Sequence, residues 1–258
     1  LMGIDTDNGK ERFTKSLEVG EIAYEPMLTK NIGDGKLKVV SSMTNSGSKF
    51  YKATPIGISI GELNDMTGEI KRLKDFTFQQ DLNTVLDMKS ETKSEEGYLK
   101  AHDLCFMPDG NMILVGEFFR RTVSAIGVAS KFLSSNGRAS SATQATIGDM
   151  FLLRINKDFK ATALEKVDKD KERYSLPSDV MSIGLIIKWL NYLHAFGYLY
   201  TDEGIDGKAK TVLAQSAFGE ERYGTVAITI DEKSGFSTKR FTLPKEKKVS
   251  YYISRAKP

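Results

Sequence analysis

One arrangement recurs along this chain and limits what it can fold into. An apolar strand ends in Asp or Asn, a short polar turn follows, and a more polar strand leaves the turn. It occurs at Leu1–Gly9, Gly57–Gly68, Met150–Asp158 and Val226–Gly235, and the departing strands are Arg12–Leu17, Ile70–Phe78, Lys160–Val167 and Ser237–Leu243. Three of the four turns hold a glycine, which supplies the positive φ of a tight hairpin; Asp158-Phe159 departs from this. A second hairpin type alternates with the first, its turns carrying Asp34-Gly35, Asp109-Gly110 and Asp206-Gly207. Asp-Gly between strand-like runs is a strong hairpin signal. The alternation reads as the second half of one unit, three complete four-strand units, and the first strand of another.

Within a unit the middle strands are apolar on both faces, as in Met112-Ile113-Leu114-Val115 and Phe151-Leu152-Leu153. Strands covered on both sides read this way. The fourth strand mixes charge with apolar residues, as Ile70–Phe76 does, which suits a lysine-protected outer edge. A gradient from buried inner strand to charged outer strand, repeated radially, predicts an all-β fold: a β-propeller of four-stranded antiparallel blades. About three blades are complete, with partial blades at both ends, in one domain over residues 1–258 or in part of a larger propeller. A β-sandwich is the alternative; it explains the hairpins but not the ordered alternation of turn types. The units are longer than the roughly 40–50 residues of a plain blade. Inserts account for this at Gln79–Gly97, at Thr122–Ile147 with a short helix over Ala125–Ser134, and at Asp168–Gly184, where Ser178 caps a helix running toward Trp189. The polar Gln79–Gly97 and Asn136–Thr146 stretches are expected at the surface and more mobile than the strands beside them.

Composition narrows the function. Lys and Arg number 37 against 34 Asp and Glu, and a net charge of +3 spread along the whole chain excludes nucleic acid as the expected partner. A single cysteine, Cys105, excludes an internal disulfide framework and a multi-cysteine metal site, and His102 and His194 are the only histidines. No metal and no cofactor is expected. No apolar run is long enough to cross a bilayer; the best, Ile183–Leu190, is short and carries Lys188. The chain opens on Leu1 and a strand-like run, Val249–Ile253, lies just before Pro258, so both ends read as cut. Val249–Ile253 is expected to be an innermost strand that joins the blade begun by Leu1–Leu17.

The segment His102–Glu117, an apolar strand, Pro108-Asp109-Gly110, a second apolar strand and Gly116-Glu117, resembles the units of bacterial cell-surface propeller repeats. Gly148–Asn156 is similar to the segment that follows in those repeats, so the resemblance covers about one unit, residues 99–165. It implies an exported bacterial protein, periplasmic or at the cell surface, and it carries no catalytic residue with it.

Each candidate site competes with a plainer role. Asp5-Thr6-Asp7-Asn8-Gly9 resembles the opening of a calcium loop, but Gly9 falls at position five and position twelve is Ser16, so it reads as a turn. His102-Asp103 could begin a triad, yet neighbours on a regular strand point to opposite faces and no Gly-x-Ser-x-Gly elbow exists. Cys105 lies in an apolar run and reads as a small buried hydrophobe. The glycines around Asp34 match no phosphate loop. The expected function is a non-enzymatic binding or scaffolding module of the bacterial cell envelope. Its ligand, a small molecule, glycan or protein, would sit among His102, Glu117, Arg120, Arg121, Trp189 and Tyr198. Arg120 and Arg121, read as following a strand end, could pair with an anion. The alternative is a glycan-directed hydrolase with carboxylates at the propeller channel, for which Glu117, Asp149, Glu220 and Glu221 are the candidates.

Overall fold

The structure, a computed structural model, describes residues 1–15, 17–46, 55–82, 85, 98–123, 143–167, 172–177, 183–204, 207–217 and 222–244. Val249–Ile253, Ser178, the helix read over Ala125–Ser134 and the stretch 136–142 lie outside them. The described chain is mostly β, with one α-helix and one π-helical turn. Strands β1 (Met2–Ile4) and β2 (Glu11–Thr14) form a two-stranded sheet of their own. The first large sheet runs β3 (Glu18–Val19), β4 (Ile22–Gly33), β5 (Lys36–Asn45), β6 (Pro55–Asn64) and β7 (Ile70–Thr77) in that order. The second contains β8 (Tyr98–Phe106), β9 (Met112–Val123), β10 (Thr143–Ile155) and β11 (Ala161–Val167), with β12 (Glu172–Ser175) paired to the early half of β10. Helix α1 (Ile183–Tyr192) leads to the third, β13 (Tyr198–Asp202), β14 (Lys210–Ala217), β15 (Arg222–Ile230) and β16 (Phe236–Pro244). Every pairing is antiparallel between chain neighbours except β12 with β10, so the three expected four-strand units are three meander sheets, none of them closed on itself.

Alternation along the middle sheet decides how the sheets stack. Leu104, Met112, Leu114, Phe151, Leu153 and Ile155 pack with Val40, Ile58, Ile60 and Phe76 of the first sheet. Cys105, Ile113, Val115, Met150 and Leu152 face the other way, onto Val212, Ala214, Val226 and Ile228 of the third. Each such side chain contributes roughly 1.5–3 kcal/mol on burial, and the middle sheet collects it on both faces. Polar contacts fix the alignment. Lys30 of β4 reaches Asp103 of β8 at 2.8 Å, and Thr238 of β16 donates to Glu165 of β11 at 2.7 Å. β4 therefore lies beside β8, and β11 beside β16.

Three sequence expectations need correction. Strand β9 continues to Val123 and β10 starts at Thr143, so Thr122 and Thr143–Ile147 are strand and Arg120 and Arg121 lie within β9, not beyond its end. The insert after β7 opens with a π-helical turn, Phe78–Leu82, that buries Leu82 against the first two sheets; only Gln79 and Gln80 of its described part are exposed. The glycine-free turn works because Phe159 itself takes φ 54°. That left-handed conformation costs on the order of 1–2 kcal/mol, offset by packing of its ring against the core and by Asn156 Oδ1 accepting from Asp158 N and Lys160 N.

Candidate functional site

Of the six residues singled out above, His102, Glu117 and Tyr198 meet. A bulge between Ala101 and Asp103 breaks the alternation of β8 and turns His102 toward the third sheet. Its ring stacks on Tyr198 with centroids 4.9 Å apart and meets Phe196 edge-on at 5.3 Å. The carboxylate beside it is Glu117, across the strand pair, and not its neighbour Asp103: His102 Nε2 lies 3.2 Å from Glu117 Oε1. Glu117 is fully buried and accepts the backbone N–H of Gly197 at 3.0 Å and of Tyr198 at 2.7 Å. A buried carboxylate is tolerated only when its lone pairs are filled this way. The contact pins the start of β13 onto β9. Burial also pushes the Tyr198 hydroxyl up to about 12, with the Thr201 hydroxyl 3.0 Å away.

The other three stand apart. Adjacent positions on β9 put Arg120 and Arg121 on opposite faces, Arg120 exposed and Arg121 half-buried, so they form no joint anion clamp. Trp189 is on α1, packed over Phe119, Ala145 and Ile147; it donates to Ser175 O at 3.3 Å and stacks on Tyr192.

Next to this cluster the Asp103 carboxylate receives Lys30 Nζ, and burial first, then Asp103, push the Cys105 thiol up to about 12. A thiol held protonated is no nucleophile at neutral pH. Asp149 is paired with Lys166 at 2.9 Å; Glu220 and Glu221 lie outside the described residues. The calcium-like loop is a turn: Asp5 Oδ1 accepts from Asp7 N, and Asp5 Oδ2 pairs with Arg12 at 3.1 Å. Among the described residues no group of three or more His, Cys, Asp and Glu converges as a metal site, and no helix is long and apolar enough to cross a membrane.

Among the described residues, two of the recesses bear on this region or on the first sheet. The smaller, about 130 Å³, lies where β4, β8 and α1 meet, lined by Glu25, Ser42, Tyr98, Lys100 and Ile187 among others. Burial raises Glu25 above the usual carboxylate range and lowers Lys100 below the usual ammonium range. The larger, about 460 Å³, is on the outer face of the first sheet, which sequence reasoning missed. Its floor is Val39 and Ser41 of β5 with Ser59 and Gly61 of β6, and Leu17 and Val19 border it. At its wall Ser59 Oγ donates to Asp75 Oδ1 at 2.7 Å and Tyr24 OH donates to Asp75 Oδ2 at 3.0 Å, while Arg72 Nη1 donates to Tyr24 OH. Burial and the Asp75 carboxylate raise the Tyr24 hydroxyl above its ordinary value. The signal was present in Gly57-x-Ser59-x-Gly61, an alternation that strips one face of a strand of bulk.

Residues 1–223 match the family described as "Family of unknown function (DUF6770)". No curated protein matches the chain.

Proposed function

This chain belongs to the DUF6770 family of unknown function, and from that premise we propose that it is a non-enzymatic binding module of the bacterial cell envelope, built on stacked propeller blades. The observation that carries the reading is the 460 Å³ recess, within the size range of small-ligand sites and walled by an ordered polar network. Support against hydrolysis comes from the reactive groups elsewhere. Glu117 is spent on two backbone donors and His102, Asp149 on Lys166, and the Cys105 thiol is buried and protonated. The propeller form is compatible with neighbouring first strands at Lys30–Asp103 and neighbouring fourth strands at Thr238–Glu165, an order that blades about an axis and stacked layers share. The envelope location rests on the repeat resemblance of His102–Glu117.

The test is a panel of small molecules, glycans and peptides screened by thermal shift against wild type and Gly61→Leu. A Cβ at Gly61 meets nothing closer than Lys71 O at 3.4 Å, so leucine fills the recess without a backbone clash. Ligands that stabilise wild type and not Gly61→Leu, and are recovered unchanged, meet the proposal. Turnover of a glycan would overturn the non-enzymatic reading, and binding indifferent to the substitution would remove the recess.

A further inference from the structure

We infer that the outer-face recess takes a small apolar monocarboxylate, its two oxygens held by the edge of the Arg72 guanidinium that meets no described residue and its hydrocarbon body lying over Gly61. The inference rests on the binding reading above and adds the chemistry of the ligand.

Three neighbouring strands shape the receptor. Cross-strand partners share a face, so Val39 beside Gly61, Ser41 beside Ser59 and Gly61 beside Arg72 make one continuous surface. Gly61 and the two serines leave it low and flat, while Leu17, Val19, Val39 and Ile70 supply apolar contact. A hydrocarbon body fits such a floor better than a highly hydrated one, because burial of its surface is favourable and few polar groups would be left unpaired.

Arg72 supplies the charge and the orientation. Its Nη1 is engaged by Tyr24 OH and lies 3.5 Å from Asp75 Oδ2, and its guanidinium sits 5.6 Å from the centroid of the Tyr24 ring. Asp75 is fixed in turn by Ser59. The arginine is thus held from one side by Tyr24 and Asp75. Its Nε and Nη2 make no hydrogen bond to any described residue, and the side chain is half-exposed. Two N–H groups on one edge of a guanidinium match the two oxygens of a carboxylate. Lys15, also in the lining, has no acidic partner among the described residues and adds a second positive charge. Glu69 in the lining and Asp75 behind Arg72 are acidic, and both disfavour a second negative group on the ligand.

The experiment is a fluorescence titration of the chain with 2-naphthoate and, as the neutral isostere, 2-naphthalenemethanol. Wild type, Arg72→Gln, Arg72→Lys and Gly61→Leu are compared after near-UV circular dichroism has verified their folds. Wild type is expected to prefer the carboxylate by about tenfold or more, the worth of a charge-assisted hydrogen-bonded pair. Arg72→Gln should abolish the preference, Arg72→Lys should retain part of it, and Gly61→Leu should lose both ligands. If Arg72→Gln fails to fold, Arg72→Lys carries the comparison, since loss of the fork alone must weaken naphthoate more than the alcohol. Equal binding of both compounds to wild type, with both lost in Gly61→Leu, would overturn the carboxylate inference and leave the binding reading standing. Binding of neither compound, or unchanged binding by Gly61→Leu, would overturn the inference and the recess together.

Discussion

Replacing Glu117 by glutamine changes one atom of the side chain and tests whether the carboxylate is a clasp between sheets. In the native arrangement both oxygens are used: Oε2 accepts from Gly197 N at 3.0 Å, and Oε1 accepts from Tyr198 N at 2.7 Å with His102 Nε2 at 3.2 Å. Glutamine offers one oxygen and one NH₂, so one backbone N–H faces another donor inside a site that excludes water. The remaining bond falls from charge-assisted to neutral, a loss of about 1 kcal/mol, and the orphaned buried donor costs about 1–3 kcal/mol. Relief of burying a charge works the other way but is small here, because two backbone donors already compensate it and His102 lies beside it. The net expectation is a destabilisation of ~2–4 kcal/mol, or a fall in Tm of ~5–12 °C for a chain of this size. Thermal scans by circular dichroism measure it, and amide hydrogen exchange locates it: Tyr198 N–H should exchange faster in Glu117→Gln while Val39 in the first sheet is unaffected. A Tm within ~2 °C of wild type, or exchange that rises uniformly, would refute the clasp.

Other expectations follow from the same structure. Cys105 should resist iodoacetamide at pH 8 while folded and react once unfolded in urea. Because burial raises its thiol from 9.0 to about 12, the stability it lends is present below its ordinary pKa and lost as pH climbs from there toward about 12, so Cys105→Ala should show a shallower alkaline fall in Tm than wild type. Gly57→Ala should cost more than about 3 kcal/mol, since its Cβ would sit 2.1 Å from Phe76 O, whereas Gly61→Ala on the same face should change stability by less than about 1 kcal/mol; paired urea melts compare them. Burial raises Glu25, so its charged form is disfavoured in the fold; Glu25→Gln should stabilise the fold at pH 7 by under about 1 kcal/mol, read as a small rise in Tm, and the gain should vanish as pH falls to where the native carboxyl is protonated.

The legible part of this fold is its local part. Asp34-Gly35, Asp109-Gly110 and the Asn64 and Asp231 turns are specified by backbone chemistry within a few residues, and each lies between the strands expected of it. The apolar run Ile183–Leu190 likewise falls within α1. What the sequence concealed depends on register. Arg120 and Arg121 look like loop cations until β9 is seen to extend beneath them. His102 acquires Glu117 as its carboxylate only because a bulge in β8 offsets the strand by one residue, and no residue type marks that bulge. Hairpin patterns also leave open whether stacked sheets fan about an axis or lie as layers, because the angle between sheets is set by contacts distant in sequence.

The recess follows from the contrast between two faces of neighbouring sheets. Stacked sheets stand about 10 Å apart, and that gap must be filled by side chains from both. The middle sheet fills it on each side with Ile, Leu, Phe and Met. On the outer face of the first sheet the corresponding positions are Ser41, Ser59 and Gly61, which cannot reach half-way. The β1–β2 hairpin meets that sheet at its margin instead, where Gly68 leaves room for the Phe13 ring and Arg12 Nη1 lies 3.2 Å from Met66 Sδ. A Cβ at Gly61 would lie 3.4 Å from Lys71 O, an ordinary contact with the strand backbone. Small side chains at Ser41, Ser59 and Gly61, beside an arginine whose Nε and Nη2 meet no described residue, are what the inferred carboxylate would use.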